Sequence, residues 1–150
     1  MIQSTRDNDQ ALTTNNIYAD LYDVMTAITF NPLIVFTNQT TNKSVNFIAK
    51  TFITTNKERY MKLTYDISND GTTNTTSGVI SIGDDDFPYG FYNVTIYQNN
   101  DGTNLDTDNA IKVIYKTVMN FKAVNNNAVT YTEYTTNDTE TDSVYITNTV

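Results

Sequence analysis

Apolar and polar side chains alternate strictly at several places along this chain, and a period of two predicts strands. Over 60–68, Met61, Leu63, Tyr65 and Ile67 share one face while Lys62, Thr64 and Asp66 take the other, the pattern of a half-buried antiparallel strand. Tyr92, Val94 and Ile96 alternate with Asn93 and Thr95 over 90–98. Ile111, Val113 and Tyr115 alternate with Lys112 and Lys116 in the same way. A slip of one residue in any of these would turn the whole apolar set towards water, so the register is well specified.

Other stretches are more uniformly apolar. Leu33, Ile34, Val35 and Phe36 read as a central strand covered on both faces, and 45–53, with Phe47, Ile48 and Phe52, as its hairpin partner across the polar turn 38–43. The segments 17–25, 78–82, 129–134 and 143–147 bring the count to roughly nine strands. Over 17–25 the spacing of Leu21, Val24, Met25 and Ile28 also allows a short helix. Asn69-Asp70-Gly71 and Asn100-Asp101-Gly102 end in Asp-Gly, which suits turns with positive φ, and Pro32 and Pro88 sit where strands can begin. Many short strands joined by polar turns predict one all-β domain. Its expected form is a single antiparallel β-sandwich over 17–150, immunoglobulin-like or jelly-roll-like, preceded by a flexible polar arm over 1–16.

Composition narrows the chemistry. The 150 residues hold no Cys, no His and no Trp. Without His the usual acid–base group at neutral pH and the commonest ligand of zinc, copper or iron are missing, which removes Ser-His-Asp, Cys-His and zinc-hydrolase chemistry together. The expectation is that the chain is not an enzyme and takes no cofactor. A net charge of −8, with the basic residues scattered, argues against a nucleic-acid partner. No apolar run nears the ~20 residues that span a bilayer, and 1–16 lacks the apolar stretch of a secretory signal, so a membrane partner is not expected either.

Two acidic stretches could gather hard ligands, Asp84-Asp85-Asp86 and the loop from Asp101 to Asp108. Neither has the spacing of a helix–loop–helix calcium site, and solvated acidic turns are the simpler reading. The carboxylate pairs Glu133 with Glu140 and Asp20 with Asp23 read as surface charge. Tyrosine is the abundant aromatic, at 11 residues, and gives large contact area at low entropic cost. Tyr65, Tyr92 and Tyr115 fall on apolar faces and are expected in the core. Tyr89, Tyr97 and Tyr134 lie off those faces or beside loops and are the expected interface residues. The Asn-x-Ser/Thr sequons at Asn38, Asn42, Asn74, Asn93 and Asn137 arise readily in so Asn- and Thr-rich a chain.

Several strand-and-turn motifs carry a resemblance. Asp20-Leu-Tyr-Asp-Val-Met-Thr leads to Asn31-Pro-Leu-Ile-Val-Phe-Thr-Asn-Gln-Thr-Thr, then Val45-Asn-Phe-Ile, Asn56-Lys-Glu-Arg-Tyr and Tyr89-Gly-Phe-Tyr-Asn-Val-Thr-Ile-Tyr. Thr103-Asn-Leu-Asp and Tyr131-Thr-Glu-Tyr follow. From about Asp20 onward this resembles the small β-rich virion structural proteins of bacteriophages, of the decoration, neck or fibre-associated type. The resemblance implies localisation in the virion and assembly in multiple copies or as a homo-oligomer against capsid or connector subunits. It carries over no functional residue. The alternative expectation is a carbohydrate- or receptor-binding β-sandwich module of a fibre or surface protein, which needs a concave patch of Tyr, Asn and Asp.

Overall fold

The computed structural model describes residues 1–21, 31–53, 60–124, 130–134 and 145–149. Its strands are β1 (Ile2–Arg6), β2 (Leu12–Ala19), β3 (Leu33–Asn38), β4 (Ser44–Ile48), β5 (Thr51–Ile53), β6 (Met61–Ser68), β7 (Val79–Ile80), β8 (Gly90–Gln98), β9 (Lys112–Ala123), β10 (Thr130–Tyr134) and β11 (Tyr145–Thr149). Five form one sheet in the order β1-β9-β8-β3-β4, antiparallel except where β1 runs parallel to β9. A four-stranded sheet sets β6 between β2 on one side and β5 followed by a parallel β7 on the other. β10 and β11 pair antiparallel as a separate two-stranded sheet. The chain is therefore β-rich, with mixed and antiparallel open sheets.

The five- and four-stranded sheets share one core. Phe36 of β3 lies edge-on to Phe47 at 4.9 Å and, across the sheets, to Tyr65 of β6 at 5.3 Å. Ile17, Leu63, Ile67, Val94, Ile96 and Met119 join the same buried cluster from both sides. Edge-to-face aromatic contacts add to area burial because the positive ring edge meets the negative ring face. The alternations over 60–68 and 90–98 hold: Met61, Leu63, Tyr65, Ile67, Tyr92, Val94 and Ile96 are all buried. The hairpin β3–β4 forms with Phe36 opposite Val45. Its turn is held by Asn38, whose Oδ1 accepts from the amides of Thr40 and Thr41, and closed by Asn42 at φ +55°.

Four expectations need correction. The flexible arm over 1–16 is instead β1 and most of β2, one in each sheet. Ser4 and Asn15 are buried polar residues there, which a scan for apolar alternation passes over. The stretch 45–53 is two strands in two sheets. The amide of Ala49 donates to Pro32 O beside the first sheet, and that of Lys50 to Thr64 O in the second. Third, the alternation at 111–115 is broken by a bulge. Tyr97 pairs with Val113 and Ile96 with Tyr115, which leaves Ile114 as the extra residue. Ile114 is buried and Tyr115 half-buried, while Ile111 and Val113 are 50% and 41% exposed. Fourth, the sheets are not purely antiparallel, because β1 and β7 run parallel to their neighbours. Residues 22–25 of the stretch 17–25 lie outside the described residues, and 17–19 belong to β2.

Both edges of the five-stranded sheet turn towards the four-stranded one. At the β4 edge, Gly78 approaches the chain where it changes sheets so closely that a Cβ there would lie 2.4 Å from Lys50 N. Gly78 also has φ +72°, so two independent constraints select glycine. On the opposite face of the five-stranded sheet, Leu33 and Ile48 pair with each other and are buried outside the main core. The loop 99–110 folds against this end of that face, tied by Asn46 Nδ2 donating to Leu105 O at 3.0 Å.

Candidate functional site

Tyr89 is 40% exposed, but its ring stacks on Phe121 at 4.8 Å and an interplanar angle of 24°. It covers one end of the core and offers only its remaining face. Beside it Arg6 of β1 donates to Asn69 Oδ1 and Asn69 O and to Ile82 O, tying two loops to the edge strand. Tyr97 is half-buried on the outer face of the five-stranded sheet, between Leu33 and Val113 in register. Tyr134 lies in β10 opposite Tyr145, and its side chain is outside what the structure describes. Tyr89, at one end of the core, and Tyr97, on the outer face of β8, are therefore not brought together.

Among the described residues the most exposed aromatic side chains are others. Tyr18 and Tyr60 are 60% and 54% exposed, and Phe91 is 50% exposed. Tyr18 is opposite Lys62, and Tyr60 immediately precedes the Ala19–Met61 pair, so both tyrosines sit at one end of the outer face of β2 and β6. Phe91 is on the outer face of β8, opposite Asn120, with exposed Val113 and Ile111 further along that face. The signal was present in the sequence. Tyr18 falls between Ile17 and Ala19, and Phe91 beside Tyr92, so alternation alone turns both away from the core.

The acidic loops use their carboxylates as turn braces. Asp84 Oδ1 accepts from the amides of Asp86 (3.0 Å) and Phe87 (2.8 Å), and Asp86 pairs with Lys43. Asp101 Oδ1 accepts from the amide of Thr103 at 2.8 Å and from its hydroxyl at 2.7 Å, which together hold the carboxyl below its ordinary range. Asp106 Oδ1 accepts from Asp108 N at 3.0 Å. Among the described residues no three carboxylates gather where one cation could take them. Glu140 and Asp23, each half of a carboxylate pair, lie outside the described residues.

One buried charge stands apart from these. Asp66 is fully buried; it accepts from Thr14 Oγ1 at 2.7 Å and pairs with Lys50, whose side chain remains 45% exposed. The partner that neutralises it sits at the point where β4 gives way to β5, so the ion pair braces the crossing between sheets. Burial pushes the Tyr65 hydroxyl well above its ordinary range, and that hydroxyl donates to Ser4 Oγ at 2.8 Å. Both groups lie within the folded core and meet no open site.

A shallow cavity of about 330 Å³ is lined by Asn99, Asn100, Asp101, Asn104, Asn109 and Ile111. Asn99 and Asn104 bond each other and the loop backbone, so much of the lining is committed to loop shape. Asn100, Asp101, Asn109 and Ile111 are the exposed residues of the lining. Comparison with protein-family models, with curated proteins and with solved structures finds no match for this chain.

Proposed function

We propose that this chain is a structural protein of a bacteriophage virion. In this reading it is a β-sandwich of immunoglobulin-like or jelly-roll-like type that works in multiple copies, decorating the capsid or serving the head-to-tail neck. The observation that carries the reading is the exposure of Tyr18 and Tyr60 on one outer face, 60% and 54%, while the core is complete without them. Large aromatic residues left in water on a rigid sheet suit burial against a neighbouring subunit. The motif resemblance supplies the virion, and a net charge of −8 favours a place away from packaged DNA. Mass spectrometry of purified particles tests it: the chain is expected at a fixed, multiple copy number, and its absence from intact particles contradicts the proposal.

The second reading, a carbohydrate-binding module, is favoured by the amide-lined cavity. Asn and Asp side chains there would meet vicinal hydroxyls and Ile111 a C–H face of a sugar ring. Glycan-array binding that is lost in Asn100→Ala would support it over assembly.

A further inference from the structure

None of the strands β1, β9, β8, β3 and β4 carries Asp or Glu, in a chain whose net charge is −8. The same strands carry Arg6, Lys112, Lys116 and Lys122. Arg6 is committed to Asn69 and Ile82. Lys116 and Lys122 are exposed, and among the described residues neither pairs with a carboxylate. Register places both on the outer face of the five-stranded sheet. Lys116 lies opposite Thr95 and Lys122 opposite Thr5, whereas Met119 and Phe121 turn into the core.

One row of that face is open. Gln3 of β1, Asn120 of β9 and Phe91 of β8 are in register across three neighbouring strands, a span of about 10 Å. Phe91 is 50% exposed. The side-chain amides of Gln3 and Asn120 make no hydrogen bond to another described residue, unlike Asn93, whose Oδ1 accepts from Gln39. Lys122 follows Asn120 on the same face of β9, and Lys116 lies about 20 Å from Lys122 along the strand. A sugar ring suits such a row. Its C–H face meets the negative face of an aromatic ring, and its vicinal hydroxyls meet both the donor and the acceptor of an amide. Carboxylates along a sugar chain would meet the lysines in charge-assisted hydrogen bonds.

We infer that the outer face around Phe91 binds an acidic polysaccharide, with one ring on Phe91, its hydroxyls on Gln3 and Asn120, and carboxylates at Lys122 and Lys116. This goes beyond the particle assignment and does not rest on it, and the site is separate from the loop cavity at Asn100. Nucleic acid fits less well. One strand of a duplex carries a phosphate about every 3.4 Å, a density that two lysines so far apart do not match. An acidic peptide takes a sheet edge or a groove, and Phe91 stands on an open sheet face. Screening over about 8 Å at physiological salt leaves a bound carboxylate to its nearest charges, which on these strands are all positive.

The test uses the full chain in native gels cast with polygalacturonate or hyaluronate. Both polymers are expected to retard the protein, while neutral dextran, polyglutamate and oligothymidylate do not. Phe91→Ala should abolish the retardation, and so should Lys116→Gln combined with Lys122→Gln. Lys62→Gln on the other sheet and Asn100→Ala in the loop cavity should leave it unchanged. Should circular dichroism show a variant misfolded, amide shifts of the unmodified ¹⁵N-labelled protein on adding oligogalacturonate decide instead. Shifts centred on Gln3, Phe91, Asn120 and Lys122 are expected, and none there would overturn the proposal. It is equally overturned by no retardation in either acidic glycan, by equal retardation in dextran, polyglutamate or oligothymidylate, or by full binding in Phe91→Ala. All of these outcomes leave the particle measurement untouched.

Discussion

The side-chain amide of Asn15 takes both backbone polar groups of Thr5: the Thr5 N–H donates to Oδ1 and Nδ2 donates to the Thr5 carbonyl, each at 2.9 Å. Asn15 belongs to β2 and Thr5 to β1, in different sheets, so one amide stands in for the strand that β1 lacks on its outer side. This contact joins the two sheets at that edge. Asn15 is buried, and an apolar replacement leaves a donor and an acceptor without partners.

Asn15→Ala should therefore cost about 1–3 kcal/mol, the range for orphaning buried hydrogen-bonding groups. Urea unfolding should show a lower midpoint with little change in slope. A midpoint equal to that of the parent protein would mean that β1 is held by β9 alone.

Gly78→Ala should be worse. The new Cβ would lie 2.4 Å from Lys50 N, backbone that cannot swing aside, and φ at this position is +72°. Strain of this kind costs on the order of 1–3 kcal/mol before the clash is counted. Gly71→Ala, also at positive φ but with open space around it, is the control and should lose less.

Lys50 and Asp66 form a pair with one end in water. Lys50→Met leaves a buried carboxylate supported by Thr14 only and should destabilise by about 1–3 kcal/mol, less than for a fully enclosed pair because the ammonium was partly solvated. A double-mutant cycle with Asp66→Asn should give a coupling well above the few tenths expected of independent sites. Lys43 with Asp86, both exposed, should give almost none.

Acid stability carries a separate signature. Hydrogen bonds from Ser68 Oγ and the Thr72 amide hold the Asp70 carboxyl at about 2, against about 3.9 in an unfolded chain. Between those values the folded state binds fewer protons, so stability falls as pH drops from about 4 to about 2. Asp70→Asn should flatten that limb in thermal melts.

The alkaline limb runs the other way. Burial pushes Tyr92 up to about 12, so the folded state keeps a proton that an unfolded tyrosine loses near pH 10. Its contribution is complete below about pH 10 and is lost as pH rises towards 12. Tyr92→Phe should remove that slope while giving up one hydrogen bond to Pro88 O.

These residues also mark how far the sequence could be followed. Strands whose faces differ plainly, Met61–Ser68 and Gly90–Gln98, were legible because burial on one face imposes a period of two. The hairpin of β3 and β4 was legible because its turn is local. The role of 1–16 was not, since Ser4 and Asn15 are polar residues buried by hydrogen bonds rather than by hydrophobicity. The sheet change at Ala49 and Lys50 is a long-range choice between Pro32 and Thr64 as partners, invisible within its own segment. The bulge at Ile114 inverted the apparent face of Ile111 and Val113. Of the candidate surface, Tyr18 and Phe91 are readable from alternation, whereas the stacking of Tyr89 on Phe121 is a long-range contact that its own segment does not encode.

The most direct test of the central claim is hydroxyl-radical footprinting of the chain free and within purified particles, read at Tyr18 and Tyr60. The assembly reading predicts multiple copies per particle and strong protection of both rings there relative to the free protein. Absence of the chain from particles, or equal labelling in the two states, would contradict it.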